Sequence, residues 1–375
     1  MNQDISPIVK RFQFGGKFLG ARPHGTGHIH DSCVVRFRRP GGAVKRFLLQ
    51  RINTAVFQQP ERLMENIEHV TEHLKKKIAA GGDDPVQTTL DLVPARGGRS
   101  FVKTRAGDYW RAFHFIEGAR TYDTAVNLDH ISEVARTYGR FLKLLHDFPL
   151  ADLHETIPGF HHTERRCQDL IKAARTDARH RTQSVKSELA FVEKRADAAS
   201  ILVDLLEQGA LPIRVVHNDT KLGNVMIDDK IGEGLCVIDL DTVMPGCSLY
   251  DFGDLVRSAA NPAAEDEQDL AKVGLDLVVF GRCVGGYLEG TGDLLTAREV
   301  DLFPLAARVM TLELGMRFLT DYLRGDVYFK TDRVEQNLDR CRVQFKLVEE
   351  METAHDRMAR IVETCRRARP LESGV

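Results

Sequence analysis

Nowhere does the chain run to the about eighteen consecutive apolar residues that a membrane-spanning helix needs. Its charges also leave almost no surplus: 52 Lys and Arg against 54 Asp and Glu give a net charge of −2 over 375 residues. The first lack argues against a membrane partner, the second against the broad basic field that draws a protein to nucleic acid or anionic lipid. The seven cysteines are odd in number, scattered and never closer than the eleven positions between Cys236 and Cys247. That pattern is neither a disulfide frame nor a zinc site, and reads as reduced thiols of a cytoplasmic protein. Met1 to Phe12 mixes Asp4, Lys10 and Arg11 among its apolar residues, without the apolar core and small-residue cleavage site of a secretory leader. Internal repeats, low-complexity tracts, a Gly-x-Gly-x-x-Gly turn and a P-loop are missing as well. What remains is a 43% hydrophobic, 28% charged chain long enough for one large or two ordinary domains, expected to be soluble and a monomer or weak dimer.

Two regimes follow each other along the chain. Up to Gly118, short β-like runs alternate with glycine turns: Cys33 to Phe37 and Arg46 to Ile52 around Arg39-Pro-Gly-Gly42 predict a hairpin, and Arg99 to Thr104 and Tyr109 to Ile116 a second pair. Between them Leu63, Ile67, Val70 and Leu74 recur at helical spacing after Pro60, with Gly81-Gly82 as the stop. Beyond Gly118 helical patterns dominate, over residues 128–148, 164–174, 184–207, 269–288, 297–323 and 334–367. The fold class expected is α+β in two lobes: residues 1–117 a small sheet-plus-helix lobe, residues 118–375 a mainly helical one.

One strand-rich island, from Ile213 to about Phe252, interrupts the helices and concentrates the polar residues. It contains His217-Asn-Asp219-Thr-Lys-Leu-Gly-Asn224, and fifteen positions after Asn224 comes Asp239 in Val237-Ile-Asp-Leu-Asp241. Phosphoryl transfer asks little covalent chemistry of a protein. It needs a carboxylate on the acceptor hydroxyl and oxygen ligands for a Mg²⁺ that bridges the phosphates. A carboxylate and a carboxamide five apart in one loop, joined by a second carboxylate from a returning strand, can supply both. Asp219 is then the base, and Asn224 and Asp239 are metal ligands. A hydrogen-bonded structural turn is the plain alternative, since Asp and Asn favour turns. His217 reads as an orienting hydrogen-bonder. Asp241, two positions beyond Asp239 on an alternating strand, would share its face and either touch metal or substrate or brace the loop.

The pattern His-x-Asp-x-x-x-x-Asn followed by Ile-Asp on a strand resembles the aminoglycoside phosphotransferase and choline kinase superfamily, relatives of the protein kinases. Val216 to Ile227, Val237 to Gly246 and Tyr250 to Asp254 look more narrowly like the bacterial N-acetylhexosamine 1-kinase group. The likeness continues through Leu49 to Asn53, Leu63 to Ile67, Tyr109 to Arg111, Ile157 to Phe160 and Arg317 to Leu323. It implies a bilobal protein-kinase-like fold with ATP and Mg²⁺ between the lobes and a hexosamine 1-phosphate as product. An aminoglycoside, choline or homoserine kinase, and a catalytically inactive binding module, are the other readings. Asp251 and Asp254 would brace the loop.

Within that resemblance, Pro23-His-Gly-Thr-Gly-His-Ile-His30 occupies the place of the phosphate-covering turn, where Gly25 and Gly27 would let backbone N–H groups approach ATP. Taken alone the segment is a hairpin turn. His28 and His30 without a third ligand are read as polar surface, not zinc. Gln50 stands where the family's phosphate-binding lysine is expected, with Arg51 beside it. Alternation allows only one of the two to face the nucleotide, and Glu65 or Glu68 on the following helix would be its partner, or a solvated helix face. Backbone groups from His114 to Ile116 would receive adenine, and Trp110 belongs to core or cleft. The family's sugar contacts fall on Arg317 and Tyr328. Arg257 is a weaker candidate, a surface salt bridge being its alternative. The late arginines from Arg357 to Arg369 read as the solvated face of a terminal helix.

Overall fold

A computed structural model of the chain describes residues 5–25, 29–82 and 84–368. Its first part is a five-stranded antiparallel sheet in the order β1-β2-β3-β5-β4, built from β1 (Lys17–Pro23), β2 (Asp31–Arg38), β3 (Val44–Arg51), β4 (Phe101–Lys103) and β5 (Tyr109–His114). The expected hairpin forms, with Asp31 opposite Arg51 and Arg38 opposite Val44. β1 escaped sequence detection: a register shift between Phe18 and Gly20 interrupts its alternation, and only half-buried and exposed residues line it. Alternation sorts the central strands cleanly. Phe47, Leu49, Trp110 and Ala112 face a core with Phe12, Phe14 and Val93. Tyr109 and Phe113 turn to the other side, against helix α1 (Pro60–Ala80), whose Leu63, Met64, Ile67 and Val70 join the main core of the molecule. Trp110 therefore belongs to the core, not to a cleft.

The larger part is helical. α2 (Leu128–Leu144), capped by the Asn127 side chain on the His130 N–H, lies against α7 (Leu277–Thr291). Gly139, Gly286 and Gly290 let these two approach so closely that a methyl group at any of them would overlap the opposite main chain. The buried α9 (Phe303–Arg324) is surrounded by α3 (Thr163–Thr176), α6 (Ser248–Ala259) and α10 (Gln336–Thr353). Five of the six predicted helices are shorter or broken: that expected over 128–148 ends at Leu144, and that over 297–323 is parted at Leu302. The run expected over 184–207 is α4 (Lys186–Glu193) and α5 (Ala196–Glu207), parted at Arg195, which pairs with Glu352 and stacks on Phe191. The run expected from 269 begins as α7 only after Asp276, whose carboxylate caps the Val278 and Val279 N–H groups. The last splits at Ala354 into α10 and α11 (His355–Arg367). No helix among the described residues is long and apolar enough to cross a membrane.

The polar island is two small ladders: β7 (Arg214–Val216) pairs with β10 (Met244–Gly246), and β8 (Val225–Asp228) with β6 (Ala119–Arg120) and β9 (Gly234–Val237). β7 is pinned from behind by Glu299 of the short helix α8 (Ala297–Asp301), which is wholly buried. Glu299 accepts from Arg214 Nε and Nη2 at 2.8 and 2.9 Å, Ser248 Oγ at 2.7 Å and the Thr296 N–H at 2.8 Å. Burial alone would raise its carboxyl pKa, but these donors win and hold it below the ordinary glutamate value. A carboxyl lowered on folding adds stability above its unfolded pKa of about 4.3, and the gain disappears as the pH falls through the folded value. Glu299→Gln, which leaves the Arg214 charge uncompensated, should lower the unfolding free energy at neutral pH by about 3–5 kcal/mol. Denaturant titration should show the gap to wild type closing below pH ~4; a gap that persists unchanged there would contradict this account.

Candidate active site

The loop between β7 and β8 carries Asp219 and is tied at nearly every peptide. The buried Asp251 of α6 accepts the N–H groups of His217 and Asn218 at 2.9 and 2.7 Å, and Asp254, one turn on, accepts that of Thr220 at 2.8 Å. Thr242 Oγ donates to the His217 carbonyl and Asn218 Nδ2 to the Thr242 carbonyl. Asn218 can then sit at φ 65°, a left-handed conformation that asparagine tolerates. His217 accepts the Asp219 N–H at Nδ1 and donates from Nε2 to the Ile238 carbonyl at 2.9 Å, packed edge-on between Tyr138 and Phe141. It orients the loop.

Two further bonds bring the sequence-predicted residues together. Asn224 Nδ2 donates to the Asp219 carbonyl at 2.9 Å and to its carboxylate Oδ2 at 3.0 Å, and the Ile238 N–H donates to the Asn224 carbonyl at 2.9 Å, which draws in Asp239. Lys221 Nζ lies 3.1 Å from Asp219 Oδ2. Its surroundings would push the Asp219 carboxyl upward; Lys221 first and His217 next outweigh them and hold it below the ordinary aspartate range.

Asp239 differs from its expected placement. β9 ends at Val237, Asp239 adopts φ 62° and ψ 55°, and Leu240–Thr242 is a single 3₁₀ turn. The two acidic side chains therefore part: Asp239 is open to solvent, whereas Asp241 is 2% exposed. Asp241 accepts two bonds from Arg111, one of them 2.8 Å from Nη2, and a third from His30 Nε2 at 2.6 Å. It braces the loop. No donor or ion-pair partner meets the Asp239 carboxylate among the described residues. The cleft around it, then the charges of Asp241 and Asp219, push its carboxyl up to about 6 despite Lys221. An open carboxylate short of positive charge, next to a carboxamide whose N–H₂ is turned to Asp219, is a donor set that suits a hard divalent cation.

The other candidates distribute as follows. Gly25 is left-handed at φ 79° in the β1–β2 turn; Gly27 and His28 lie outside the described residues. Gln50 sits on the sheet face turned to α1, but its amide is used by Ser32 and Arg111. Arg51 points to the other face, where it pairs with Asp31 and lies 3.6 Å from Asp108. Neither presents a charge to the cleft. Glu68 has no ion-pair partner among the described residues, and Glu65 accepts from His154 at 2.7 Å, so no helix glutamate reaches Gln50 or Arg51. The His114 N–H is taken by the Asp91 carbonyl, while the Ile116 N–H meets no acceptor among the described residues. Arg257 is no surface pair: 10% exposed, it donates to Asp254 behind the loop.

Arg317 stands over the rings of Phe160, Phe329 and Tyr328 at 4.8, 5.7 and 6.0 Å. Its guanidinium makes no hydrogen bond among the described residues, only a 3.9 Å approach to Glu313. Tyr328 is held out, 42% exposed, by a loop that Asp321 shapes by accepting the N–H groups of Val327, Tyr328 and Phe329. Sequence reasoning missed three residues here. Arg166 donates to the Phe160 carbonyl beside Arg317. His161 lies between the Glu313 carboxylate, 2.8 Å from Nδ1, and the Asn218 carbonyl, 3.0 Å from Nε2. Arg111 had a signal, since cross-strand pairing puts it opposite Gln50; His161 and Arg166 had none, because only the tertiary fold joins them to the loop.

Comparison with known proteins agrees with this geometry. In solved structures the chain is similar to a microcompartment-associated aminopropanol kinase, 18% identical with a TM-score of 0.63, covering 95% of this chain and 99% of that one. It is also similar to a choline kinase from Cryptosporidium parvum Iowa II, at 13% identity, 92% coverage of each and a TM-score of 0.58. An amicoumacin kinase in complex with AMP-PNP, Ca²⁺ and Ami matches at 13% identity, 94% coverage of each and 0.58. At such identities these likenesses speak to the fold, which is the α+β bilobal fold of kinases. The model of the phosphotransferase enzyme family (APH) matches residues 25–282, well over half of the sequence, and takes in β2 to β5, the Asp219 loop and Asp239; the chain belongs to that family.

Proposed function

We propose that the chain is an ATP- and Mg²⁺-dependent sugar kinase that phosphorylates the anomeric hydroxyl of an N-acetylhexosamine, with residues 1–117 as the nucleotide lobe and 118–375 as the catalytic and acceptor lobe. The observation that carries this reading is the convergence of Asp219, Asn224 and Asp239 through the Asn224 and Ile238 hydrogen bonds, on a loop that His161 connects to the Arg317 pocket.

Asp219 is the base. Kept ionised by Lys221, it takes the proton of the sugar hydroxyl as that oxygen bonds to the γ-phosphorus and the bond to the β-phosphate oxygen breaks, releasing ADP. Asn224 and Asp239 would hold Mg²⁺, which supplies neutralisation of the phosphate charge. The Ile116 N–H, which meets no acceptor among the described residues, would pair with adenine, and backbone N–H groups at Gly25 would approach the phosphates.

The acceptor is inferred from the pocket. Aminopropanol, choline and ethanolamine kinases are named among the structural neighbours, all for amine-bearing alcohols. A cationic amine calls for carboxylates or an aromatic cage. Here Arg317 and Arg166 bring two guanidiniums, and Glu313, the carboxylate beneath them, is already engaged by His161. Unspent Arg317 donors suit an amide carbonyl, and the outward Tyr328 ring suits a sugar face.

Asp219→Asn should lower kcat by about 10² to 10⁴-fold, the usual worth of a general base, while Mg-ADP binding by calorimetry stays intact. Near-normal turnover would remove Asp219 from the mechanism. Arg317→Ala should raise KM for the sugar by about 10- to 100-fold, as loss of a charged hydrogen bond does, without moving KM for ATP. ADP release over N-acetylhexosamines, plain hexoses, aminoglycosides and choline, with ³¹P NMR of the product, tests the acceptor. Phosphate on a hydroxyl other than the anomeric one, or preference for a cationic alcohol, would overturn the sugar 1-kinase assignment.

A further inference from the structure

We propose that His161 is a positioning residue for Asp219: from outside the loop it fixes the peptide unit that joins Asn218 to Asp219, and so sets the direction of the Asp219 carboxylate. The proposal rests on the reading of Asp219 as the base.

The Asn218–Asp219 peptide is held at both ends by a histidine ring. Its N–H donates to His217 Nδ1 at 3.3 Å, and its carbonyl accepts from His161 Nε2 at 3.0 Å. The carbonyl and N–H of a trans peptide point to opposite sides, so the two rings grip it from opposite edges. Asn218 stands in the left-handed region, which its own backbone does not favour, and the direction of the peptide after it therefore depends on these partners. The loop's other backbone partners are His217, Asn224, Thr242, Asp251 and Asp254, all from the polar island or from α6. His161 comes from elsewhere, two residues before α3, and no other donor reaches the Asn218 carbonyl among the described residues.

The ring donates twice. A carbonyl oxygen only accepts, so Nε2 carries hydrogen; Nδ1 lies 2.8 Å from Glu313 Oε1, another acceptor, and carries one too. Phe160 and Tyr250 pack against the ring, with centroids 4.5 and 5.2 Å away. Glu313 is 1% exposed, and its second oxygen meets no donor among the described residues. Satisfying one buried carbonyl does not require this arrangement. A neutral amide or hydroxyl would do it without taking a carboxylate out of water, which is the costlier burial. What the carboxylate adds is direction: bonded to Nδ1, it fixes the hydrogen on Nε2 and keeps that donor aimed at the carbonyl in front.

Two substitutions separate positioning from packing. Glutamine places its amide nitrogen where Nε2 stands, and asparagine where Nδ1 stands. His161→Gln therefore keeps a donor for the Asn218 carbonyl and deprives Glu313 of its hydrogen bond, whereas His161→Asn keeps the Glu313 bond and abandons the carbonyl. Both are compared with wild type and Asp219→Asn in thermal unfolding and in ADP release from Mg-ATP with N-acetylhexosamines, plain hexoses, aminoglycosides and choline. His161→Asn should lower kcat by about 10- to 100-fold, as loss of one hydrogen bond from a charged pair does, with both KM values unchanged. His161→Gln should keep kcat close to wild type, yet unfold at the lower temperature of the two because its buried carboxylate is stranded. Equal losses of kcat, a kcat lower in His161→Gln than in His161→Asn, or a folded His161→Asn with wild-type kcat overturns the proposal and leaves Asp219 as the base. If one variant alone fails to fold, the kcat of the other decides; failure of both assigns the ring to stability and overturns the proposal as well. Wild type that is silent on every acceptor, or Asp219→Asn with near-normal turnover, overturns the reading of the base, and the proposal with it.

Discussion

Everything in the candidate site hangs on one carboxylate that never reaches the cleft. Asp251 accepts two consecutive backbone N–H groups, those of His217 and Asn218, from the buried side of the loop. Peptide N–H groups buried without partners are expensive, so the loop can turn away from its ladder only where something accepts them. With Asp251 and Asp254 doing so, Asn218 can take its left-handed conformation and Asp219 is turned outward. α6 carries both acceptors three residues apart, on one helix face, and its buried Phe252, stacked on Phe303, fixes the helix in the core. Core packing is thereby transmitted to the position of the Asp219 carboxylate.

A second support reaches the same loop from the side of Arg317. Glu313 and Arg317 are one turn apart on α9, and Glu313 contacts His161, which contacts the Asn218 carbonyl. The Glu313 carboxyl stays below its ordinary value although burial opposes this, because His161, then Arg317 and Arg166, surround it with positive charge. Its second oxygen has no hydrogen-bond partner among the described residues. Arg317 and the Asp219 loop are therefore linked by one polar chain, through Glu313 and His161.

The sequence made the fold legible where pattern and structure follow the same local rule, and lost it where a tertiary contact intervenes. Strand alternation in β3 and β5 and the 3.6-residue spacing in α1 are satisfied by the sheet and the core behind it. Arg195, where the run breaks, pairs with Glu352, which lies far along the chain, and no periodicity can see that contact. The helix expected from 269 starts only at Leu277, where the Asp276 carboxylate caps it; the apolar pattern begins earlier than the cap. At the site, His217, Asp219, Asn224 and Asp239 were legible because their spacing is local to one loop and hairpin. The partner of Gln50 was not, since the expectation of a lysine and a helix glutamate directed attention along β3 and α1 instead of across to Arg111.

The misplaced expectation about Asp239 and Asp241 has the most physical content. On a regular strand both would share a face, within a few ångströms of each other and of Asp219, and the repulsion of three carboxylates would need a common answer. The left-handed turn at Asp239 separates them, and each then meets a different environment. Asp219 has Lys221; Asp241 has Arg111 and His30, which hold it far below the ordinary aspartate range against its burial. Asp239 alone meets no donor and forms no ion pair among the described residues, and its surroundings, then the charge of Asp241, push its carboxyl up to about 6 against the pull of Lys221. Asp219 and Asp241 thus each have a cation in direct contact, whereas Asp239 has none among the described residues, and there a charge brought from outside the chain would be favoured.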